Sequence, residues 1–339
     1  MKLAAVASTL GVALLASGCG GSLGASNSGG GNGGGSGPVR IAMVPKFTAL
    51  PYFQAVEKGA KEAGAELGAQ VTYQGPVNID VAEQSNIIQQ FAGQKYDAIT
   101  VSATDASAVS PALAAAQKAG IKTSTWDADA DPASRGVFLN QATFDGIGQA
   151  LVDITVEQAG PRGKVLIVTS ELTQPNQNKW IESIKKYMAS KYPEMQVDAV
   201  LPTEEDPGKT RQVTMDYLRG HPGTVGVISV AGGSTPGVAE ALKQLNLVGK
   251  VSGTGISVPS IIRSYLQEGS LKKVVLWNPV DLGYAAIHLA YAQVKGTLDE
   301  SSGTFDAGRL GKLKFVGPGE ILLGDPLIFT KDNVNQFDF

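Results

Sequence analysis

Val39 to Val44 is a mostly apolar run with little alternation, the pattern of a parallel strand covered on both faces. Pro45 stops it, Lys46 follows at the strand's carboxyl end, and Pro51 suits the first turn of a helix. Along that helix Phe53, Val56, Ala60, Ala63 and Leu67 recur at helical spacing, and Gly64 and Gly68 weaken and then end it. The same alternation continues. Strands are predicted at Val71 to Tyr73, Ala98 to Ser102 and Lys122 to Trp126, separated by a helix marked by Val81, Ile88 and Phe91 and by another over Ala108 to Ala119. After a break near Phe138 to Phe144 the rhythm resumes: helix Ile147 to Glu157, strand Lys164 to Val168, helix Asn176 to Lys191, strand Gln196 to Leu201. Asp206-Pro207 reads as an N-cap and first-turn proline opening a helix to Arg219. Strands at Val225 to Val230, Lys250 to Gly255 and Lys273 to Trp277 then alternate with helices at Pro236 to Leu245 and Val258 to Gln267, before a long helix over Val280 to Val294. The tail from Gly296 is rich in turns, with one short strand expected at Leu322 to Phe329.

Short connections between alternating strands and helices build βαβ units on parallel sheets, so the fold class is α/β with two doubly wound halves. The length agrees. At 339 residues the chain exceeds the size at which one core stops growing. A formal charge of -3 with scattered basic residues argues against nucleic acid as a partner.

Residues 1–19 read as a targeting segment: Lys2 gives the charged start, Leu3 to Leu15 the short apolar run, and Ala16-Ser17-Gly18-Cys19 the cleavage region. This resembles a bacterial lipoprotein signal, although Ala16 occupies the place where leucine is usual. Cys19 is the single cysteine in the chain, which favours acylation over a disulfide or a catalytic thiol. Residues 20–37 are almost entirely Gly, Ser and Asn and read as a flexible tether. Such a coil would hold a folded body roughly 25 Å from a membrane.

In open α/β sheets, ligands bind at the carboxyl ends of strands. Polar clusters gather there: Lys46, Thr104-Asp105, Trp126-Asp127-Ala128-Asp129, Gln174 to Asn178, and Trp277-Asn278. Carboxylates and amides bridge neighbouring hydroxyls while an indole stacks on a ring face, so this set suits a carbohydrate. Each residue also has a purely structural use. Asp127 or Asp129 would cap a turn, Asn176 a helix, Thr104 and Asp105 would start the next helix, and Trp277 and Trp180 would sit in the core.

Catalytic machinery is not legible. His221 lies in a His-Pro-Gly turn and His288 among Ala, Ile and Leu, while Gly233-Ser234-Thr235-Pro236-Gly237 misses the spacing of a nucleophile elbow. No Walker sequence or metal-ligand spacing is present, so neither cofactor nor metal is expected and the chain is not read as an enzyme.

From Val39 onward the chain resembles the type I periplasmic sugar-binding proteins of ABC importers. Val44-Pro45-Lys46, Thr72-Tyr73-Gln74-Gly75-Pro76, Ser124-Thr125-Trp126-Asp127 and Leu139-Asn140 are similar to the branch holding the autoinducer-2 receptors and the rhamnose-binding proteins. Lys46 and Asp127 match the lysine and aspartate of the former. Asn176-Gln177, however, stands where those receptors have Asp-Gln, and Val230 and Gly232 where they have proline and alanine. Asn176-Gln177-Asn178, Trp277-Asn278-Pro279 with Asp281-Leu282-Gly283-Tyr284, and Asp306-Ala307-Gly308-Arg309 with Gly311-Lys312 resemble the rhamnose-binding proteins instead.

The resemblance implies lobes over residues 38–141 plus 279–304 and 142–278 plus 305–339, joined by three crossings near Asn140 to Thr143, Trp277 to Pro279 and Thr304. It implies Lys46, Asp105 and Asp127 on the first-lobe side of a cleft, Asn176, Gln177 and Gly232 on the second, Asn278 at the hinge, and Phe53 and Trp277 as aromatic contacts. The expected protein is monomeric and extracytoplasmic, held by lipid on Cys19 to the cell membrane (periplasmic side in a Gram-negative). It would deliver rhamnose or a similar deoxysugar to an ABC permease; an autoinducer-2 receptor, serving uptake or a membrane signalling partner, is the alternative.

Overall fold

The computed structural model describes residues 37–339. The expectations for the signal segment, for Cys19 and for tether residues 20–36 lie outside the described residues.

The chain opens with β1 (Arg40–Val44), α1 (Pro51–Leu67), β2 (Gln70–Tyr73), α2 (Val81–Gly93), β3 (Ala98–Val101), α3 (Ala106–Lys118), β4 (Lys122–Trp126) and β5 (Val137–Asn140). These strands pair in parallel in the order β2-β1-β3-β4-β5. The central strands are apolar because helices cover both faces; Ile41 to Val44 are fully buried.

The second half comprises α4 (Phe144–Ala159), β6 (Gly163–Thr169), α5 (Pro175–Lys191), β7 (Met195–Pro202), α6 (Pro207–Gly220), β8 (Thr224–Ser229), α7 (Thr235–Gln244), β9 (Ser252–Gly255), α8 (Pro259–Glu268) and β10 (Lys273–Leu276). Its sheet runs β7-β6-β8-β9, again parallel. Helix α9 (Pro279–Lys295) then returns to the first lobe and crosses α1 at very short range. A Cβ on Gly59 would run into the Val280 carbonyl, and one on Gly283 into the Val56 carbonyl.

The tail departs from expectation. Strands β11 (Thr304–Asp306), β12 (Lys312–Gly317) and β13 (Glu320–Leu322) join the first sheet, not the second lobe, with β13 parallel to β5 and the other two added antiparallel. Only afterwards does β14 (Leu327–Thr330) pair antiparallel with β10 in the second lobe. The third crossing therefore lies at residues 323–326 rather than near Thr304, and residues 305–322 belong with the first lobe. The reason is hydrogen bonding: β5 would otherwise present an open edge, which β13 closes. The chain also passes between the two sheets at residues 141–143 and 277–278. Leu322 pairs with Asn140 at one pair of crossings, and Leu276 with Leu327 at another.

No helix among the described residues is long and apolar enough to cross a membrane.

Candidate functional site

The carboxyl ends of both sheets face one cavity, which encloses about 520 Å³ of space free of atoms, counting the solvent at its mouth. On the first-lobe wall Pro45 ends β1 and delivers Lys46, which is only 5% exposed. Its Nζ lies 3.3 Å from Asp127 Oδ2 and donates across the cleft to Asn176 Oδ1 at 3.1 Å. An ammonium removed from water needs such partners, because its desolvation otherwise outweighs the attraction.

Asp127 reaches this position through an unusual backbone. Its φ is 61°, and the Ala128 N–H donates back to the Trp126 carbonyl at 2.6 Å, closing a three-residue turn. A non-glycine residue held in this region is strained, as is common where a side chain must be aimed. Its Oδ1 accepts from the Tyr52 hydroxyl at 3.1 Å and from Asn176 Nδ2 at 3.4 Å, and its Oδ2 from Ser102 Oγ at 2.8 Å. Burial first, and then the charge of Asp127, push the Tyr52 phenol well above its ordinary value, so it stays a neutral donor.

On the second-lobe wall Pro175 starts α5 and places Asn176 and Gln177 in its first turn. Gln177 Oε1 accepts from Thr169 Oγ1 at 2.6 Å, Ser170 N at 2.8 Å and Ser170 Oγ at 3.1 Å, which fixes the amide and sends its Nε2 toward Glu205 Oε1 at 3.4 Å. Gly232 lies opposite Leu50; a Cβ added there would meet Leu50 Cδ2 at 3.9 Å and the Ile256 carbonyl at 3.8 Å, ordinary van der Waals contact. Glu205 accepts from the Gly233 N–H at 2.6 Å. Burial pushes its carboxyl up to about 7, although the Gly233 N–H, the Lys46 charge and the Gln177 amide pull the other way.

The remaining walls are aromatic. The Trp277 ring meets Tyr52 edge-on at 5.9 Å and lies 5.7 Å from Trp180, while Phe53 packs edge-on against Phe47 and Tyr52. Trp180 was expected in the core. It is buried, yet it also lines the cavity.

Seven of the nine residues proposed from sequence thus line one cavity: Lys46, Phe53, Asp127, Asn176, Gln177, Gly232 and Trp277. Asp105 and Asn278 are corrections. Asp105 is the N-cap of α3, its Oδ1 accepting from Ala108 N at 3.0 Å and Ser107 Oγ at 2.7 Å. Asn278 sits at the second crossing but caps α9, with Oδ1 accepting from Val280 N at 2.9 Å and Asp281 N at 3.2 Å. Neither lines the cavity. Asp129, read as a turn residue, pairs with Arg135 at 2.7 Å. Sequence reading missed Tyr52 and Glu205, while Gln174 stood in the strand-end cluster Gln174 to Asn178 without being singled out as a contact. Glu205 had a signal, the Thr-Glu-Glu-Asp run at the end of a predicted strand.

Among the described residues, no group of three or more His, Cys, Asp or Glu side chains is placed to hold a metal ion. What the cavity offers is donors, acceptors and ring faces, the chemistry of binding a small polar molecule.

A family model described as a periplasmic binding protein domain matches residues 41–298. Several solved structures are similar. A sugar ABC transporter from Actinomyces odontolyticus shares 30% identity with a TM-score of 0.72, over 90% of this chain and 100% of that one. LsrB from Clostridium saccharobutylicum, in complex with AI-2, shares 29% identity with a TM-score of 0.83, over 89% of this chain and 100% of that one. An ABC transporter solute binding protein from Clostridium phytofermentas, with bound L-rhamnose, shares 28% identity with a TM-score of 0.80, over 88% of this chain and 98% of that one.

Proposed function

The chain belongs to the family of periplasmic binding protein domains, and from that membership we propose an extracytoplasmic solute-binding protein of an ABC importer, one that captures a small neutral sugar, rhamnose or a similar deoxysugar, between its lobes. The observation that carries the reading is the junction of Lys46 and Asp127 from one lobe with Asn176 from the other, all within hydrogen-bonding or ion-pairing distance in a cavity walled by Trp180 and Trp277. Hydroxyls of a sugar replace the bonds these groups make to one another, and an indole covers an apolar ring face. A ligand touching both walls favours the closed arrangement only by its higher affinity for that arrangement. In this reading the permease recognises the closed form, and lipid on Cys19 keeps the monomer at the membrane.

A second reading, autoinducer-2 in the same cavity, draws support from Lys46 and Asp127, which stand where such receptors carry a lysine and an aspartate. Asn176 in place of an aspartate favours the sugar, because an amide adds a donor and removes a charge.

A thermal-shift screen of L-rhamnose, ribose, other deoxyhexoses and autoinducer-2 tests both. Ligand at a hundred times its Kd adds about 2.7 kcal/mol of apparent stability. Rhamnose or another deoxyhexose giving the largest shift supports the first reading, autoinducer-2 the second, and no shift with any of them overturns both.

A further inference from the structure

At the carboxyl end of β7 the backbone takes two consecutive left-handed residues, Glu204 and Glu205, each with φ of 57°. Side chains other than glycine, asparagine and aspartate adopt this region at a cost, so such a pair persists only where its surroundings enforce it. They do so here: Thr203 N donates to the Thr169 carbonyl and Glu204 N to the Ser170 carbonyl, both at 2.8 Å, and Asp206 N to the Thr203 carbonyl at 3.0 Å. The outcome is that Glu205 turns back into the cavity. There one carboxylate oxygen accepts from Gly233 N at 2.6 Å and the other from Gln177 Nε2 at 3.4 Å. An ionised carboxylate has about four lone-pair sites, so each oxygen keeps room for one further donor.

We propose that Glu205 is a specificity-determining contact of the second-lobe wall: its carboxylate accepts a ligand hydroxyl, so the cavity binds neutral sugars more tightly as Glu205 ionises and rejects acidic sugars of the same size. The inference rests on the sugar-binding reading above. Rejection of acids follows from charge, since Glu205 and Asp127 together outweigh the single ammonium of Lys46 among the cavity's lining residues.

The charged groups nearest to Glu205 are Lys46 and Asp127 across the cleft and, on its own strand end, Glu204 and Asp206, with Lys209 paired to Glu204 at 2.6 Å. The histidines are elsewhere: His221 stacks on Tyr217 and His288 packs on Tyr284, and neither lines the cavity. A carboxyl raised to about 7 therefore changes charge inside the cavity across the neutral range. Because the ionised carboxylate accepts a hydroxyl more strongly than the neutral acid, affinity rises with pH across this range, by about tenfold from pH 6 to pH 8 where the discrimination is complete.

Calorimetric titration of L-rhamnose and D-arabinose into the full chain at pH 6, 7 and 8, with galacturonate as an acidic comparison, tests this. Wild type is expected to tighten about tenfold from pH 6 to 8 and to bind galacturonate at least tenfold more weakly than the better neutral sugar. Glu205→Gln should bind with a flat pH profile. Glu205→Asp, too short to keep the Gly233 bond and reach a ligand, serves the same purpose should Glu205→Gln fail to fold. A flat wild-type profile, an unchanged slope in the variant, or galacturonate bound as tightly as the neutral sugars would each overturn the inference while leaving sugar binding intact. Binding of neither neutral sugar at any pH instead overturns the reading it rests on, and the inference with it.

Discussion

The indole N–H of Trp277 donates to the Tyr52 hydroxyl at 3.0 Å, and that hydroxyl donates in turn to Asp127 Oδ1 at 3.1 Å. Trp277 stands on the second crossing, Tyr52 opens the first helix, and Asp127 ends β4. Three segments far apart in the chain are thus joined by two consecutive bonds, and the one at the crossing is tied to the cavity's charged floor.

Asp127→Ala is expected to abolish ligand binding. It leaves Lys46 buried without its carboxylate, which costs about 3–5 kcal/mol of stability, and it removes a charged acceptor contributing about 1.5–3 kcal/mol per ligand bond. Asp127→Asn keeps the shape and isolates the charge. Calorimetry on both variants checks this, and near-wild-type affinity in Asp127→Ala would remove Asp127 from the site.

Trp277→Phe and Tyr52→Phe should each weaken binding by about 1 kcal/mol, the net contribution of one neutral hydrogen bond. Because they break the same chain of bonds, the double variant should lose less than the sum. A double-mutant cycle read by calorimetry measures the coupling; strict additivity would show that the two residues act separately.

Asn176→Asp combined with Gly232→Ala moves the cavity toward the pattern of autoinducer-2 receptors. The alanine fits, since its Cβ meets neighbours only at ordinary distances. The expected outcome is a relative gain for autoinducer-2 over L-rhamnose in a competition titration. An unchanged ratio would mean that neither position reads the ligand.

Asp105→Ala should leave ligand affinity unchanged and cost about 1 kcal/mol as a lost helix cap. The Ser107 hydroxyl first, and then the Ala108 and Ser107 N–H groups, hold this carboxyl below its ordinary 3.8. Its folded value being depressed, the stability it adds is present above pH 3.8 and disappears as pH falls through the lowered value. Melting curves between pH 2 and 6 should therefore show the wild-type advantage shrinking at the acid end.

Gly59→Ala and Gly283→Ala should each lower Tm through overpacking, about 1–3 kcal/mol or more, because the new methyl meets backbone that cannot step aside. Calorimetric melts check this. An unchanged Tm would mean that the two helices separate easily.

Sequence made the parallel core legible because buried strands and covering helices leave opposite periodicities. It hid β5, whose three apolar residues Val137 to Leu139 followed by Asn140 are too short to separate from a loop. It also hid β12, although Lys312-Leu313-Lys314-Phe315 alternates as an antiparallel strand exposed on one face does. For the cavity, looking at strand ends found Lys46, Asp127 and Asn176, whose neighbours in space come from other strand ends. The same rule failed for Asp105 and Asn278, since an acceptor before a helix can serve that helix's own N–H groups, and only coordinates separate the two uses.

The segments linking the lobes are clamped at their roots: Asn140 beside Leu322 on one side, Leu276 beside Leu327 on the other. Each pair behaves as a laminated strip. Flexing it like a door leaf preserves the ladder bonds, whereas wringing it would shear them. Should the lobes part, these paired roots favour a bend over a twist.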